Sequence, residues 1–307
     1  MKIEKISAIG DCAVLYSASR SDNRDMRYEF IDAVDVGIPR TLKWVLMIST
    51  QFGCPIGCRM CDAGLMGYKG NLDAPELVAQ IKEVFFRRPE MDPRDTKKLK
   101  VHFARMGEPS LNHAVLDALV FLSRFPGALP SISTIAPRCG VSADFFSALI
   151  EIKNRLFSGG RFQLQFSLHS TDAQARDALI PVRKWGFPEI AEFGARWRAP
   201  GDRKITLNFA LAAEIPFSAS VLSRDFDPDI FLVKFTPVHP TERANRNGLT
   251  NSWFTPPSRI QRLRTEVERF GFEVIINPAW PEEVVGRVSC GQTAAVSIAR
   301  TGPGIPS

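Results

Sequence analysis

Gln51-Phe52-Gly53-Cys54-Pro55-Ile56-Gly57-Cys58-Arg59-Met60-Cys61-Asp62 packs three of the six cysteines into eight residues, directly after the apolar run Trp44-Val45-Leu46-Met47-Ile48. A disulfide framework spreads its cysteines through a much shorter secreted chain, so the tight spacing Cys54-x3-Cys58-x2-Cys61 points to metal instead. Zinc commonly completes its tetrahedron with a second Cys/His pair at a regular spacing. None of the four histidines, at 102, 113, 169 and 239, lies in such a pair. Cubane iron–sulfur clusters take thiolates from cysteine, and three thiolates on one loop leave one iron open to a small molecule. A zinc or redox loop and a set of unliganded core cysteines are the alternatives that this spacing leaves.

The 307 residues allow about two domains on length alone, or a single α/β barrel. With 45% apolar and 23% charged residues the chain has the composition of a globular protein with a sizeable core. No run approaches the ~18 uncharged apolar residues needed to span a bilayer, and no apolar signal core follows Met1-Lys2-Ile3-Glu4-Lys5. Membrane insertion and secretion are excluded as first readings, and a cytoplasmic location is expected. The net charge of +6 permits a polyanionic partner without demanding one. Lys97-Lys98-Leu99-Lys100 and the arginines at 259, 262, 264 and 269 read as solvated strand and helix faces rather than a phosphate track.

From Trp44 onward, apolar strand runs alternate with longer helical patterns, as expected for a mostly parallel sheet covered by helices. Strands are expected near 44–49, 99–103, 131–135, 162–168, 205–211 and 230–235. Helices are expected near 74–87, 113–123, 143–153, 187–196, 218–222 and 256–270, the last stopped by Gly271. Six strands predict an α/β fold of the partial-barrel type. Upstream, 6–17 and 26–35 read as the two strands of a small hairpin. The expected division is an N-terminal β extension over 1–40, a barrel core over 41–272 and a C-terminal extension over 273–307.

In such barrels the chemistry gathers on loops after the strands' C-terminal ends. Here the cysteine loop follows the first strand and Arg105-Met106-Gly107-Glu108-Pro109 the second; Ser133-Thr134 ends the third and Ser167-Leu168-His169 the fourth, and Pro237-Val238-His239-Pro240 follows the sixth. Each segment alone has a bland reading as turn, cap or core. Their shared placement on one rim favours a site.

The cysteine triplet after a hydrophobic strand resembles the signature of radical S-adenosylmethionine (SAM) enzymes. The order Met106-Gly107-Glu108-Pro109, Leu111-Asn112, Ile132-Ser133-Thr134, Ser167-Leu168-His169, Arg176, Pro181 and Ser289-Cys290-Gly291-Gln292 resembles, more closely, the RlmN/Cfr-like methyltransferases, which methylate an adenine in ribosomal RNA. The likeness runs from about Ile38 to Ala295 and implies a partial (βα)6 radical SAM barrel with a [4Fe–4S] cluster on Cys54, Cys58 and Cys61. It also implies SAM contacts at Gly107 and Glu108 for the amino end, at Ser133 for the carboxylate or ribose, and at Ser167, Leu168 and His169 around the nucleoside. Met60 takes the place of an often aromatic residue near the adenine, and His239 stands where the family has an asparagine facing the ribose. Cys290 matches the cysteine that carries the methyl group, with Gly286 and Gly291 expected to let its loop approach the cluster rim. A reducing partner such as flavodoxin or ferredoxin is implied, and no membrane.

Three departures shape the functional expectation. The family's second catalytic thiol lies seven residues before the first cluster cysteine; here that residue is Met47, whose thioether cannot attack as a thiolate. Asp35 stands near the family's proton-accepting Glu. Cys139, on the expected rim, and Cys12 are the candidate replacement thiols. The 53 residues before Cys54, read as strands, leave no room for the helical accessory domain of the RNA enzymes. The expectation is therefore a radical SAM enzyme moving a one-carbon unit through Cys290 to an sp2 carbon of a small molecule, modified nucleotide or RNA, with RNA not favoured. Direct hydrogen abstraction without methyl transfer is the runner-up, and a non-catalytic iron–sulfur or SAM-binding regulator the third reading.

Overall fold

Large apolar side chains recur at every second position of the central strands, which gives one sheet two different faces. The computed structural model describes residues 2–251, 254, 256–278, 281–289 and 291–293. Ten strands form a single sheet in sequence order: β1 (Lys2–Ile9), β2 (Ala13–Ser19), β3 (Arg27–Ala33), β4 (Trp44–Ile48), β5 (Leu99–Phe103), β6 (Ala128–Thr134), β7 (Gln163–Ser167), β8 (Ile205–Leu211), β9 (Phe231–Pro237) and β10 (Val274–Ile276). Strands β4 to β10 run parallel to their neighbours, and β1 to β3 join antiparallel at the other edge.

Helices α1 (Ala74–Phe86), α2 (Ala114–Leu122), α3 (Gly140–Leu156), α4 (Ala173–Leu179), α5 (Phe187–Trp197), α6 (Ala219–Asp225), α7 (Glu242–Arg246), α8 (Pro257–Glu268) and α9 (Pro281–Val285) follow in order. Leu46, Phe103, Phe166, Leu207 and Val233 face outward into the main core, against residues such as Leu77 of α1, Phe145 of α3 and Phe193 of α5. All six expected barrel strands are present, with ends moved by a few residues. The fold is thus the α/β partial barrel that the pattern predicted. No helix among the described residues is long and apolar enough to cross a membrane.

The sheet curls until its parallel ends meet. Thr241, after β9, donates from Oγ1 to the carbonyl of Met60, after β4, at 2.9 Å. These strands are five apart, which in a flat sheet would separate them by ~24 Å.

The N-terminal expectation needs correction. Gly10-Asp11-Cys12 makes a turn in which the Cys12 N–H donates to the Ile9 carbonyl at 2.9 Å, so the stretch read as one strand is two. The result is a three-stranded meander continuous with the barrel sheet, not a separate hairpin. Lys100 is the second correction. It pairs in register with Val45, two positions from Met47, while its neighbours Leu99 and Val101 fill the outer core. Its side chain is therefore on the concave face of the barrel and not on a solvated outer face.

Candidate functional site

The cysteine loop leaves β4 and is held in a tight path by glycine. At Gly53, with φ of +74°, a Cβ would lie 1.6 Å from the Gly67 carbonyl oxygen, so both the backbone conformation and the space require glycine. Cys54, Cys58 and Cys61 are free thiols, each partly buried. Burial pushes the Cys54 thiol up to about 11 and the Cys58 thiol well above its usual value, and the Cys58 thiol feels the other two. Thiols that are buried and mutually repelling as thiolates suit a bound cationic centre, which deprotonates its ligands outright. Among the described residues no three His, Cys, Asp or Glu side chains converge as donors to a single metal ion. Three thiols on one loop could supply three ligands of an iron–sulfur cluster and leave a fourth position open.

The loop is braced from the opposite edge of the barrel. Asp62 accepts from the N–H groups of Glu242 and Arg243 at the start of α7, at 3.2 and 3.0 Å. Arg243 donates to the Gly57 carbonyl at 2.9 Å. Around the cysteines lies a small apolar cluster made of Ile56, Met60, Ile135, Ile215 and Val238, drawn from loops after four different strands. It excludes water from the rim. Met60 is thus placed as an apolar wall of the site.

Gly107 follows β5 with φ of +97°, and a Cβ there would meet Thr50 Oγ1 at 2.6 Å and Gln51 side-chain carbons at 2.7 Å. The positive φ and the close approach to Thr50 and Gln51 both require glycine here. Glu108 is fully buried. One carboxylate oxygen accepts from Ser110 N, Ser110 Oγ and Thr134 Oγ1, and the other from Ile135 N at 3.0 Å. Burial raises its pKa, while these four bonds pull the other way. The second oxygen retains acceptor capacity, which suits an ammonium group.

The other expected contacts divide. Ser133 lies inside the barrel, where its Oγ meets His102 Nε2 at 2.7 Å and Gln165 Nε2 at 2.9 Å. Ser167 ends β7 on the concave face, in register with Asn208. Leu168 turns its side chain into the main core, so it brings only backbone to the rim. His169 adopts φ of +65°, unusual for a non-glycine residue. Its Nδ1 accepts from the Ala210 N–H at 3.0 Å, which puts the proton of the neutral ring on Nε2. Burial, helped by Arg176, holds its pKa down to about 4. His239 is also buried and held down to about 4. Among the described residues, the non-glycine residues with positive φ are Ala136, His169 and Arg287, each in a segment that bears on this rim.

Cys290 lies outside the described residues. Both sides of it are held in place. The Gly291 carbonyl accepts from the Asp62 N–H at 2.8 Å, next to Cys61. Arg105 donates to the carbonyls of Ser289 and Arg287, at 3.3 and 2.8 Å, and pairs with the fully buried Glu29 of β3 at 2.6 Å. Gly286 departs from expectation: a Cβ there would meet Ile9 at 2.8 Å, and its carbonyl accepts from Ser7, so it seats the segment on β1 rather than on the cluster rim. Met47 packs against the small apolar cluster that Ala13, Leu15 and Ile31 form with Val288, two residues before Cys290. Cys139 is exposed at the start of α3, and Cys12 sits in the β1–β2 turn. Sequence reasoning missed Asp62, Thr241, Asn208 and the Glu29–Arg105 pair; only the position of Asp62, adjoining Cys61, carried a local signal.

No family model matches the chain. Among curated proteins, a probable dual-specificity RNA methyltransferase RlmN of Synechococcus sp. (strain RCC307) is 30% identical over 268 residues, covering 84% of this chain and 71% of the relative. The chain belongs to the RlmN family. A second RlmN relative, from Acidothermus cellulolyticus, is 28% identical over 260 residues, covering 81% of this chain and 58% of that protein. The chain therefore spans 58% to 71% of the length of these RlmN proteins. A crystal structure of a radical SAM methyltransferase from Sphaerobacter thermophilus matches with a TM-score of 0.74 and 20% identity, over 95% of this chain and 80% of that one. It shares the fold of this RlmN family member.

Proposed function

We propose that the protein is a radical SAM enzyme that moves a one-carbon unit through Cys290 to an sp2 carbon of its substrate. A [4Fe–4S] cluster on Cys54, Cys58 and Cys61, with SAM on its open iron, would supply the reductive cleavage that yields a 5′-deoxyadenosyl radical. Gly107 and Glu108 would receive the amino end of SAM, and Ser167 and the backbone of Leu168 would border the nucleoside. Neutral His169 would offer its Nε2 proton as a hydrogen-bond donor, and His239 would stand near the ribose. Ser133 is already bonded to His102 and Gln165 and would contribute less than its position in the motif suggests.

One observation carries the Cys290 role: Gly291 is bonded to Asp62, beside the third cluster cysteine, while Arg105 holds Ser289. This tethers both neighbours of Cys290 near the rim. Mass spectrometry of the anaerobically reconstituted protein, incubated with SAM and a reductant, should show one added methyl group on Cys290. An unmodified Cys290 together with released 5′-deoxyadenosine would instead support direct hydrogen abstraction. That second reading is favoured by Met47, which occupies the release-thiol position and packs against the apolar cluster containing Val288. The relatives' names make RNA a candidate substrate, and a modified nucleotide or small molecule remains the alternative.

A further inference from the structure

One short segment, from Thr241 to Asn247 around α7, grips the cysteine loop at four places. Thr241 Oγ1 donates to the Met60 carbonyl at 2.9 Å, Asn247 Nδ2 to the Arg59 carbonyl at 3.1 Å, and the Arg243 guanidinium to the Gly57 carbonyl at 2.9 Å. The backbone N–H groups of Glu242 and Arg243 donate to the Asp62 carboxylate. These bonds span the stretch 57–62, which holds Cys58 and Cys61. Two glycines make the seat for Arg243. A Cβ on Gly64 would meet the guanidinium at 2.8 Å and the Gly57 Cα at 3.1 Å, and a Cβ on Gly57 would lie 3.9 Å from the same guanidinium. Of the three side-chain donors, Arg243 alone is charged. It is half-buried, whereas Arg59, the loop's own cation, is exposed to water, and Asp62 adds a buried carboxylate next to Cys61.

We propose that Arg243 is a positioning residue whose charge makes a [4Fe–4S] cluster on this loop easier to reduce. The inference rests on the radical SAM reading of the three cysteines. Three thiolates outweigh the charge of an oxidised cubane core, and the electron added on reduction makes the site more negative still. A fixed cation against the loop favours that more negative state, and the apolar surroundings strengthen the effect. The backbone acts in the same direction. In a planar trans peptide the carbonyl and the N–H point opposite ways, so holding the Gly57 carbonyl towards Arg243 turns the Cys58 N–H away from it. That N–H favours the thiolate of Cys58, and the Gly57 N–H favours that of Cys54. Hydrogen bonds to the ligand sulfurs and the charge around them are two of the features that set a cluster's potential.

The test is a redox titration of the reconstituted holoprotein without SAM, followed by electron paramagnetic resonance of the reduced cluster. Arg243→Met and Arg243→Gln should each lower the equilibrium constant for one-electron reduction about tenfold, a shift of ~59 mV to more negative potential. Arg243→Lys keeps the charge and should stay within about threefold of wild type. Arg246→Met removes a charge from the exposed side of α7, where water and salt screen it, and should change little. Gln still offers the Gly57 carbonyl a donor, so a wild-type potential in Arg243→Gln would leave Arg243 with a structural bond alone and overturn the proposal. An equal shift in Arg246→Met, or a loss in Arg243→Lys as large as in Arg243→Met, would overturn it too. Should Arg243→Met assemble no cluster, the Gln and Lys variants decide, and failure of both to assemble would again mean a structural role alone. Iron and sulfide analysis separates this inference from the reading beneath it. A wild type that takes up neither overturns both, whereas a cluster whose potential ignores Arg243 overturns only the role proposed for that residue.

Discussion

Lys100 illustrates how a single buried charge sets a measurable property. Burial, reinforced by Lys234, Lys43 and Lys98 and opposed by Asp35, holds its ammonium down to about 7. The nearby His102 is kept neutral by the same burial. A lysine in the unfolded chain keeps its proton to about pH 10.4, so between these values the unfolded state binds more protons. Stability from this group therefore rises with pH across that window and is lowest below pH 7, where the buried charge is fully present. Urea denaturation under anaerobic conditions should find Lys100→Met more stable than wild type at pH 7, with the gap closing towards pH 10. A gap independent of pH would show that the barrel leaves the Lys100 ammonium unperturbed, protonated alike in the folded and unfolded chain. The sequence concealed this residue because an inward polar position in a barrel strand alternates with apolar neighbours just as an outward solvated one does. By contrast, Cys54, Cys58, Cys61 and Gly107 were legible because their chemistry depends on local spacing or on one backbone conformation.

Between elements, Arg105 ties three segments together that the sequence places far apart. It follows β5, pairs with Glu29 on β3, and holds the carbonyls of Arg287 and Ser289 beyond α9. The pair is almost wholly buried, with side chains 3% and 0% exposed. Removing one member of such a pair costs about 3–5 kcal/mol, because the other charge stays in a dry site. Arg105→Met should be destabilised by about that amount, and trypsin should cut after Arg287 sooner than in wild type. The double variant Arg105→Met, Glu29→Gln should be less destabilised than the sum of the single changes, as expected of residues in contact. Additive effects and unchanged proteolysis would mean that Arg105 does not anchor the segment carrying Cys290. Sequence periodicity found the long helices α1, α3, α5 and α8, but not α4, α7 and α9. Those have only five to seven residues, too short for a repeating apolar face, and α4 and α7 depend instead on caps such as Asp172 to Ala175 N and Thr241 to Ala244 N.

Across the whole molecule, the ten strands make one sheet, which bears directly on whether 1–40 is a detachable extension. Every residue of β2 is buried, and β3 supplies the antiparallel edge partner of β4. Asp32 of β3, 1% exposed, accepts from Trp44 Nε1 and Arg88 Nε, both at 2.7 Å. Arg20, just after β2, pairs with Glu76 of α1 at 2.6 Å. Removing the meander would therefore bare the edge of β4 and leave Trp44 and Arg88 without their acceptor, two separate penalties for a buried interface. The sequence suggested an addition because short strands around a polar loop read as self-contained, and periodicity carries no information on which sheet a hairpin joins. The expected outcome for a chain of residues 41–307 is aggregation, seen as elution in the void volume with loss of the native near-ultraviolet dichroism. A monomer of native dichroism that still takes up iron and sulfide would show instead that the barrel folds on its own, and that its first three strands only cover an edge that β4 can leave open.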